Sequence, residues 1–454
     1  MSHRVGPLRL TLFALPAAPL LALTLPTIIF LPHHFATHVG LSLGAVSAIF
    51  LAARVFDIVL DPLLGSLQDR TESQHGRRKI WLALACAPLM ALIYIVFLHF
   101  GPGAPAPLVT LAMLTLYAVF AAMMVAHLGW AGELIPTYHG RTQTLGAAQT
   151  ASMAGQTAML AIAAWIVQGQ GGTNADAVAA MGWSLIVALP ICVGLAFLFV
   201  PEPHAPPQPH LSLAAQLKTV LGNRVVRRVL LPDLLLGVAQ GVSGGLFLFY
   251  FEAVLRFESQ SQTLLAIYFV AGLIGAPLWW MTGRAIGKHR ALQAAFIYTA
   301  ITTAALLFMP KGAFGVVAPF MFLAGLAQGG GVLLTRALMA DVVDEDEAIT
   351  GARRSGLYFG LLLTTSKAGL ALGPAALALI GLAGFDPQLG AANSESALNA
   401  LAGLFIGAPI LLCILGAISL VNYPLDEARQ AALAEAISAR QALNSENTAG
   451  PSTM

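Results

Sequence analysis

Long apolar stretches alternate with short polar ones along the whole chain. A helix crossing the hydrocarbon core of a bilayer needs about 20 mostly apolar residues. Runs of that kind fall at about 10–31, 41–66, 80–100, 107–131, 144–168, 179–200, 228–251, 262–283, 291–309, 315–340, 355–381 and 399–421. Lipid offers backbone groups no hydrogen-bond partners, so such runs must fold as helices. A closed barrel would instead show ~10-residue segments of alternating hydrophobicity. The pattern therefore predicts an all-α membrane protein of twelve transmembrane helices. The first run lacks a small-residue cleavage site and reads as a retained helix, not a removed signal.

Composition agrees. Hydrophobic residues make up 57% and charged ones only 10%, against ~25% charged in a soluble domain. The three cysteines, Cys86, Cys192 and Cys413, sit apart in apolar runs, without metal-binding or redox spacing. No nucleotide-binding loop, metal-ligand cluster or long soluble domain points to an enzyme, a cofactor or a nucleic-acid partner. The expected partners are a small-molecule substrate and the bilayer, with the chain acting as a monomer.

Orientation follows from the placement of Lys and Arg. Of 23 such residues, Arg54, Arg336 and Lys367 fall within or at the ends of spans. Only Arg256 and Lys311 lie in loops on one side, and all the rest lie on the other. This predicts an inner (plasma) membrane protein with both termini cytoplasmic. The stretch 201–227 opens with the proline-rich PEPHAPPQPH and ends in basic residues. Such sequence cannot continue a helix and acts as a semi-rigid spacer. It divides the chain into a six-helix bundle at 1–200, a second at 228–421 and a tail at 422–454, amphipathic to about Leu443. Gly76-Arg-Arg-Lys79 after the second span is echoed by Gly287-Lys-His-Arg290 after the eighth. Repeated halves with a site between them are a transporter signature.

The chemistry concentrates in the second span. Arg54, Asp57 and Asp61 are spaced by three and four residues and share one helical face. One charge at mid-membrane costs roughly 2.5–3.5 kcal/mol, and three unpaired ones about 8–10 kcal/mol. The face must meet partners or a polar cavity. Two carboxylates one turn apart disfavour simultaneous ionisation, which suits a protonatable or cation-binding site. A static Arg54–Asp57 brace is the plainer alternative. Lys367 lies deep in the eleventh span and needs a carboxylate partner, which the second span supplies.

Other polar positions have two readings. His127 is an interior histidine or a substrate contact, and Trp130 is packing or a stacking platform. Tyr358 and Thr364 complete the substrate-binding candidates. Glu133 and Arg141 suit an ion pair joining the fourth and fifth spans. The acidic run Asp341-Val-Val-Asp344-Glu-Asp-Glu is a solvated loop or a latch against the basic loop after the eighth span. The segment Gly65-Ser-Leu-Gln-Asp69-Arg70 and its basic continuation resemble the loop signature of the major facilitator superfamily. Asp69, Arg70, Glu133, Arg141, Asp341 and Asp344 are together the candidate cytoplasmic gate.

Three segments carry a more specific resemblance: 40–81, 127–143 and 337–373. They are similar to the glycoside–pentoside–hexuronide:cation symporters, the major facilitator branch typified by the melibiose carrier. The resemblance implies two six-helix bundles. It also implies coupling-cation binding by Asp57 and Asp61, with Arg54 and Lys367 as the matching arginine and lysine. There are departures. Leu60 stands where the melibiose carrier has asparagine, which favours a proton over sodium as the coupling ion. Its two sugar-recognising acids fall near Leu21 and Ala126, which implies a different substrate.

The combined expectation is a cation-coupled secondary symporter of a small solute such as a sugar or glycoside. In it, Asp57 and Asp61 take the cation, Lys367 exchanges partners with them, and Arg54 holds them in place. A transporter or flippase of an amphiphile such as a lysolipid is the alternative, favoured by an apolar cavity near Leu21. A cavity lined with hydroxyls and amides favours sugar. A non-transporting membrane receptor is a remote third.

Overall fold

The computed structural model describes residues 6–74, 76–135, 138–202, 222–350 and 355–425. Most of the linker and the tail from 426 lie outside them. Among the described residues there are twelve helices long and apolar enough to span a membrane, and no strands. They are α1 (Pro7–Thr37), α2 (Leu43–Gln68), α3 (Arg77–His99), α4 (Ala106–Ala131), α5 (Gln143–Gly169) and α6 (Asn174–Phe199). The second six are α7 (Arg224–Val254), α8 (Ser261–Ile286), α9 (Lys288–Phe308), α10 (Phe314–Asp346), α11 (Tyr358–Leu382) and α12 (Glu395–Ser419). Large apolar side chains such as Leu198, Phe308 and Leu382 are exposed on the outside, where lipid replaces water as solvent.

Two elements outrun the hydrophobic pattern. Span α1 continues past residue 31 to Thr37 and buries His33 and His34. Its prolines divide it into short helical pieces joined by a wider turn at Pro26–Phe30. A proline ring removes a backbone donor, so the ladder shifts around it. The acidic run after residue 340 is a continuation of α10, helical to Thr350, with Asp341, Glu345 and Asp346 buried. It is not a solvated loop.

The packing repeats between halves. Span α1 packs on α5 as α7 packs on α11, α2 on α4 as α8 on α10, and α3 on α6 as α9 on α12. Across the halves, α2 meets α11 as α8 meets α5, and α1 meets α7. A pseudo-two-fold therefore relates the bundles. The short basic echo occupies equivalent places, since Gly76 and Gly287 precede α3 and α9 with φ of 105° and 89°. That backbone conformation suits glycine and is strained for other residues.

Without a hydrophobic drive between helices in lipid, close backbone packing holds bundles together, and small residues permit it. Spans α7 and α11 show this. A Cβ at Gly373 would overlap the backbone of Gly241, and one at Gly241 would stand 3.0 Å from the Gly373 Cα. Gly373→Val should therefore force these helices apart and lower the melting temperature of the purified protein by several degrees. Gly360→Val, where a Cβ meets nothing within 4 Å, should not. Equal melting of the two variants would contradict this packing.

Candidate functional site

One end of the molecule carries the basic loops after α2 and α8 and before α7. We call it the basic end, and the opposite end the far end. Midway between them, α2 and α11 cross. The Lys367 ammonium lies 3.1 Å from Asp57 Oδ2 and also pairs with Asp61 Oδ2. Asp57 is only 3% exposed, while the Asp61 and Lys367 side chains are each about a quarter exposed. Asp57 Oδ1 and Asp61 Oδ1 are buried without a hydrogen-bond partner. One ammonium thus serves two carboxylates and leaves one oxygen of each unmatched. Buried unmatched acceptors are costly, so the site can gain from a proton or small cation.

The third charge on that face stands elsewhere. The Arg54 guanidinium lies over the Tyr117 ring, 5.2 Å from its centroid. Lys367 takes Oδ2 of both aspartates, and no ion pair joins Arg54 to them among the described residues. The expected Arg54 brace is not formed in this conformation. One residue before the lysine, the Ser366 hydroxyl donates to Asp233 Oδ2 at 2.7 Å, tying α11 to a buried carboxylate on α7.

A cavity of about 280 Å³ opens one helical turn from Lys367, at Leu370. It lies between the halves, but the second half supplies most of its wall. Spans α1 and α5 close it with Thr24, Leu25, Ile28, Ile29 and Gln156. None of His127, Trp130, Tyr358 and Thr364 lines it. His127 hydrogen-bonds through Nε2 to the Phe13 carbonyl at 2.9 Å and stacks on the Phe13 ring. Trp130 is fully buried, edge-on to Phe13. Both are core residues of the first half here. Tyr358 is buried in the core of the second half, and the Thr364 hydroxyl donates to the Gly360 carbonyl.

Of the gate candidates, Asp341 pairs with Lys288. This ion pair ties α10 to α9 within one half. Asp344 is half-buried farther along the same helix, and Arg70 is exposed just past α2. The side chains of Asp69, Glu133 and Arg141 lie outside the described residues.

The far end holds a polar network that the hydrophobic pattern did not reveal. Glu252 Oε2 is 2.9 Å from His33 Nε2. Its other oxygen accepts from Asn174 Nδ2 at 3.0 Å and from the Ser261 hydroxyl at 3.2 Å. Gln262 donates to Asn174, and Thr263 to Gln168. Gln388 Nε2 caps the end of α1 by donating to the Ala36 and Thr37 carbonyls at 3.1 and 2.7 Å. One carboxylate on α7 thus joins α1 and α6 of the first half to α8 of the second, and the halves are tied together at this end. The signal was a histidine pair just past the first apolar run, opposite an acid just past the seventh.

The chain matches the family described as MFS/sugar transport protein over residues 12–427. It is 25% identical over 397 residues to the inner membrane symporter YicJ of Escherichia coli strain K12, covering 85% of this chain and 84% of that one. It is 25% identical over 375 residues to the glucuronide carrier protein homolog of the same organism, covering 79% of each. Among solved structures, that of the nucleoside transporter NupG superposes with a TM-score of 0.67, covering 92% of this chain and 100% of its own at 13% identity. That likeness concerns fold alone.

Glu252→Ala should loosen the far end. Hydrogen bonds to a charged group contribute ~1.5–3 kcal/mol each, so the population open at the far end should rise at least about tenfold. Spin labels at Gln170 and Glu258, both exposed there, report the change in a background lacking Cys86, Cys192 and Cys413. A longer distance should gain population in the variant. An unaltered distribution would show that Glu252 does not hold this end closed.

Proposed function

We propose that this chain, which belongs to the MFS/sugar transport protein family, is a cation-coupled symporter of a sugar or glycoside. The observation that carries the reading is the Lys367 ammonium shared by Asp57 and Asp61, one turn from a cavity bordered by Thr, Ser and Gln side chains. The relatives named as a symporter and a glucuronide carrier homolog support it. Most of the cavity wall is apolar, and its Thr, Ser, Gln and Tyr side chains are the groups that favour sugar over a lysolipid.

The steps follow from the charges. With no cation bound, Lys367 neutralises the carboxylate pair and links α2 of one half to α11 of the other. A cation arriving at the aspartates displaces the lysine and loosens that link. The free ammonium then changes which arrangement of the halves is favoured, and substrate in the adjacent cavity biases the same equilibrium. Two ligands that favour the same conformation raise each other's affinity, which is coupling. The far-closed arrangement is the inward-facing one in this reading. The coupling ion is a proton in preference to sodium, because Leu60 adds no neutral oxygen ligand beside Asp61.

The same reading makes it a monomeric inner-membrane protein with both termini cytoplasmic, transporting without covalent chemistry. Its bundles are 1–200 and 228–421, joined by the linker at 201–227 and followed by the tail at 422–454.

Asp57→Asn and Asp61→Asn should each abolish uphill accumulation into proteoliposomes, while exchange of substrate across the membrane survives at least partly, since the cavity lies elsewhere. Wild-type uptake should follow an imposed pH gradient in sodium-free medium. Full uphill accumulation by both variants would show that the aspartates are structural and the coupling site is misassigned.

A further inference from the structure

The cavity is graded along the membrane normal. On α7, its lining runs from Gln240 and Ser243 nearer the basic end to Phe247 and Phe251 nearer the far end. On α9, it runs from Thr299, Thr302 and Thr303 to Leu306. Span α10 runs the other way through the membrane and keeps the same order, with Gln328 on the basic side and Met321 on the far side. In α1, Thr24 precedes Ile28 and Ile29, and in α12 the far-side residue is Phe405. Phe269 on α8 and Leu236, the α7 lining residue nearest the basic end, are exceptions. Four spans of differing direction and sequence, α1, α7, α9 and α10, thus place polar groups toward one end and apolar groups toward the other.

The two ends of the cavity have different chemistry. At the apolar end, Phe247 stacks on Phe251 with centroids 4.3 Å apart, and Phe405 stands edge-on to Phe251 at 6.2 Å. At the polar end, the Tyr268 hydroxyl donates to Gln328 Oε1 at 2.9 Å and leaves the Gln328 amide N–H groups for a ligand. Gln240, Ser243 and Thr303 have no side-chain hydrogen-bond partner among the described residues and face the cavity. Thr299 and Thr302 donate to backbone carbonyls of their own helix, so their oxygens stay open as acceptors for hydroxyl donors. Among the described residues, no Asp, Glu, Lys, Arg or His borders the cavity.

We propose that the substrate is a neutral glycoside with an apolar aglycone, an inference that rests on the sugar-symport reading above. The glycosyl group occupies the polar end, where its hydroxyls donate to threonine oxygens and accept from the amides. The aglycone occupies the aromatic end, deepest toward the far end. A ring there gains by leaving water and by stacking. A hexuronide brings a carboxylate into a cavity whose described lining holds no cation, with Lys367 already engaged by Asp57 and Asp61, and an uncompensated buried charge is strongly disfavoured. A bare sugar leaves the aromatic end unfilled.

The test is equilibrium binding to the purified full-length protein. The probes are matched phenyl and methyl β-glycosides of glucose, galactose and xylose, phenyl β-glucuronide, and a lysophosphatidylcholine. The phenyl form of the preferred sugar should bind at least about 10-fold tighter than its methyl form, as burial of one ring predicts. Phenyl β-glucuronide should bind at least about 10-fold more weakly than the phenyl form of the preferred sugar. Phe405→Ala should erase the phenyl advantage and leave methyl-glycoside binding in place. Phe405→Leu, which keeps more of the core volume, should reduce that advantage and guards against misfolding of the alanine variant. Equal binding of phenyl and methyl forms, or tightest binding of the glucuronide, would overturn this inference and leave sugar symport standing. Binding of the lysolipid with no glycoside bound would overturn both.

Discussion

A single ammonium between two carboxylates, inside the membrane, is the constraint on which the account turns. Lys367 belongs to the second half, and Asp57 and Asp61 to the first. None of the three is easily carried alone into a low-dielectric interior. Their pairing lets the halves meet at mid-membrane, and it is incomplete, since each carboxylate keeps one buried oxygen unmatched. A fully matched site would be a static brace. An incompletely matched one can exchange its counter-charge.

The rest of the fold is arranged around that junction. Glycine-mediated contact of α7 with α11 holds the lysine helix against the helix that lines the cavity. Ser366 and Asp233 fix the turn beside Lys367, and Leu370 brings the same helix to the cavity wall. Any movement of α11 that follows loss of the ion pair is therefore felt at the cavity. The far end is tied together by a separate network around Glu252 and His33, so the cavity sits between that tie and a junction controlled by charge.

Much of this was legible in the sequence, for a physical reason. Hydrocarbon thickness dictates helix length, so the twelve spans could be read from hydropathy alone. The cost of membrane-embedded charge singled out Asp57, Asp61 and Lys367 and required partners for them. Other features were hidden. The end of α1 lies past its apolar run because His33 and His34 are buried by neighbouring helices, which local hydropathy does not register. The acidic stretch from Asp341 read equally well as a loop because its burial depends on packing across the second half. Attention to His127 and Trp130 followed the fourth span, whereas the cavity is built mainly by five helices of the second half. Its threonines, glutamines and phenylalanines are ordinary in membrane helices and acquire meaning only when assembled. Asp233 carried the same signal as Asp57, an acid within an apolar run.

If the coupling cation and Lys367 compete for the aspartates, removing the lysine must strengthen cation binding. Cation affinity of purified Lys367→Gln, read from pH- and sodium-dependent thermal stability beside wild type, tests this most directly. The account predicts binding at least about 10-fold tighter, as loss of a competing charge worth more than ~1.4 kcal/mol requires. Unchanged or lost cation affinity in that variant would contradict it.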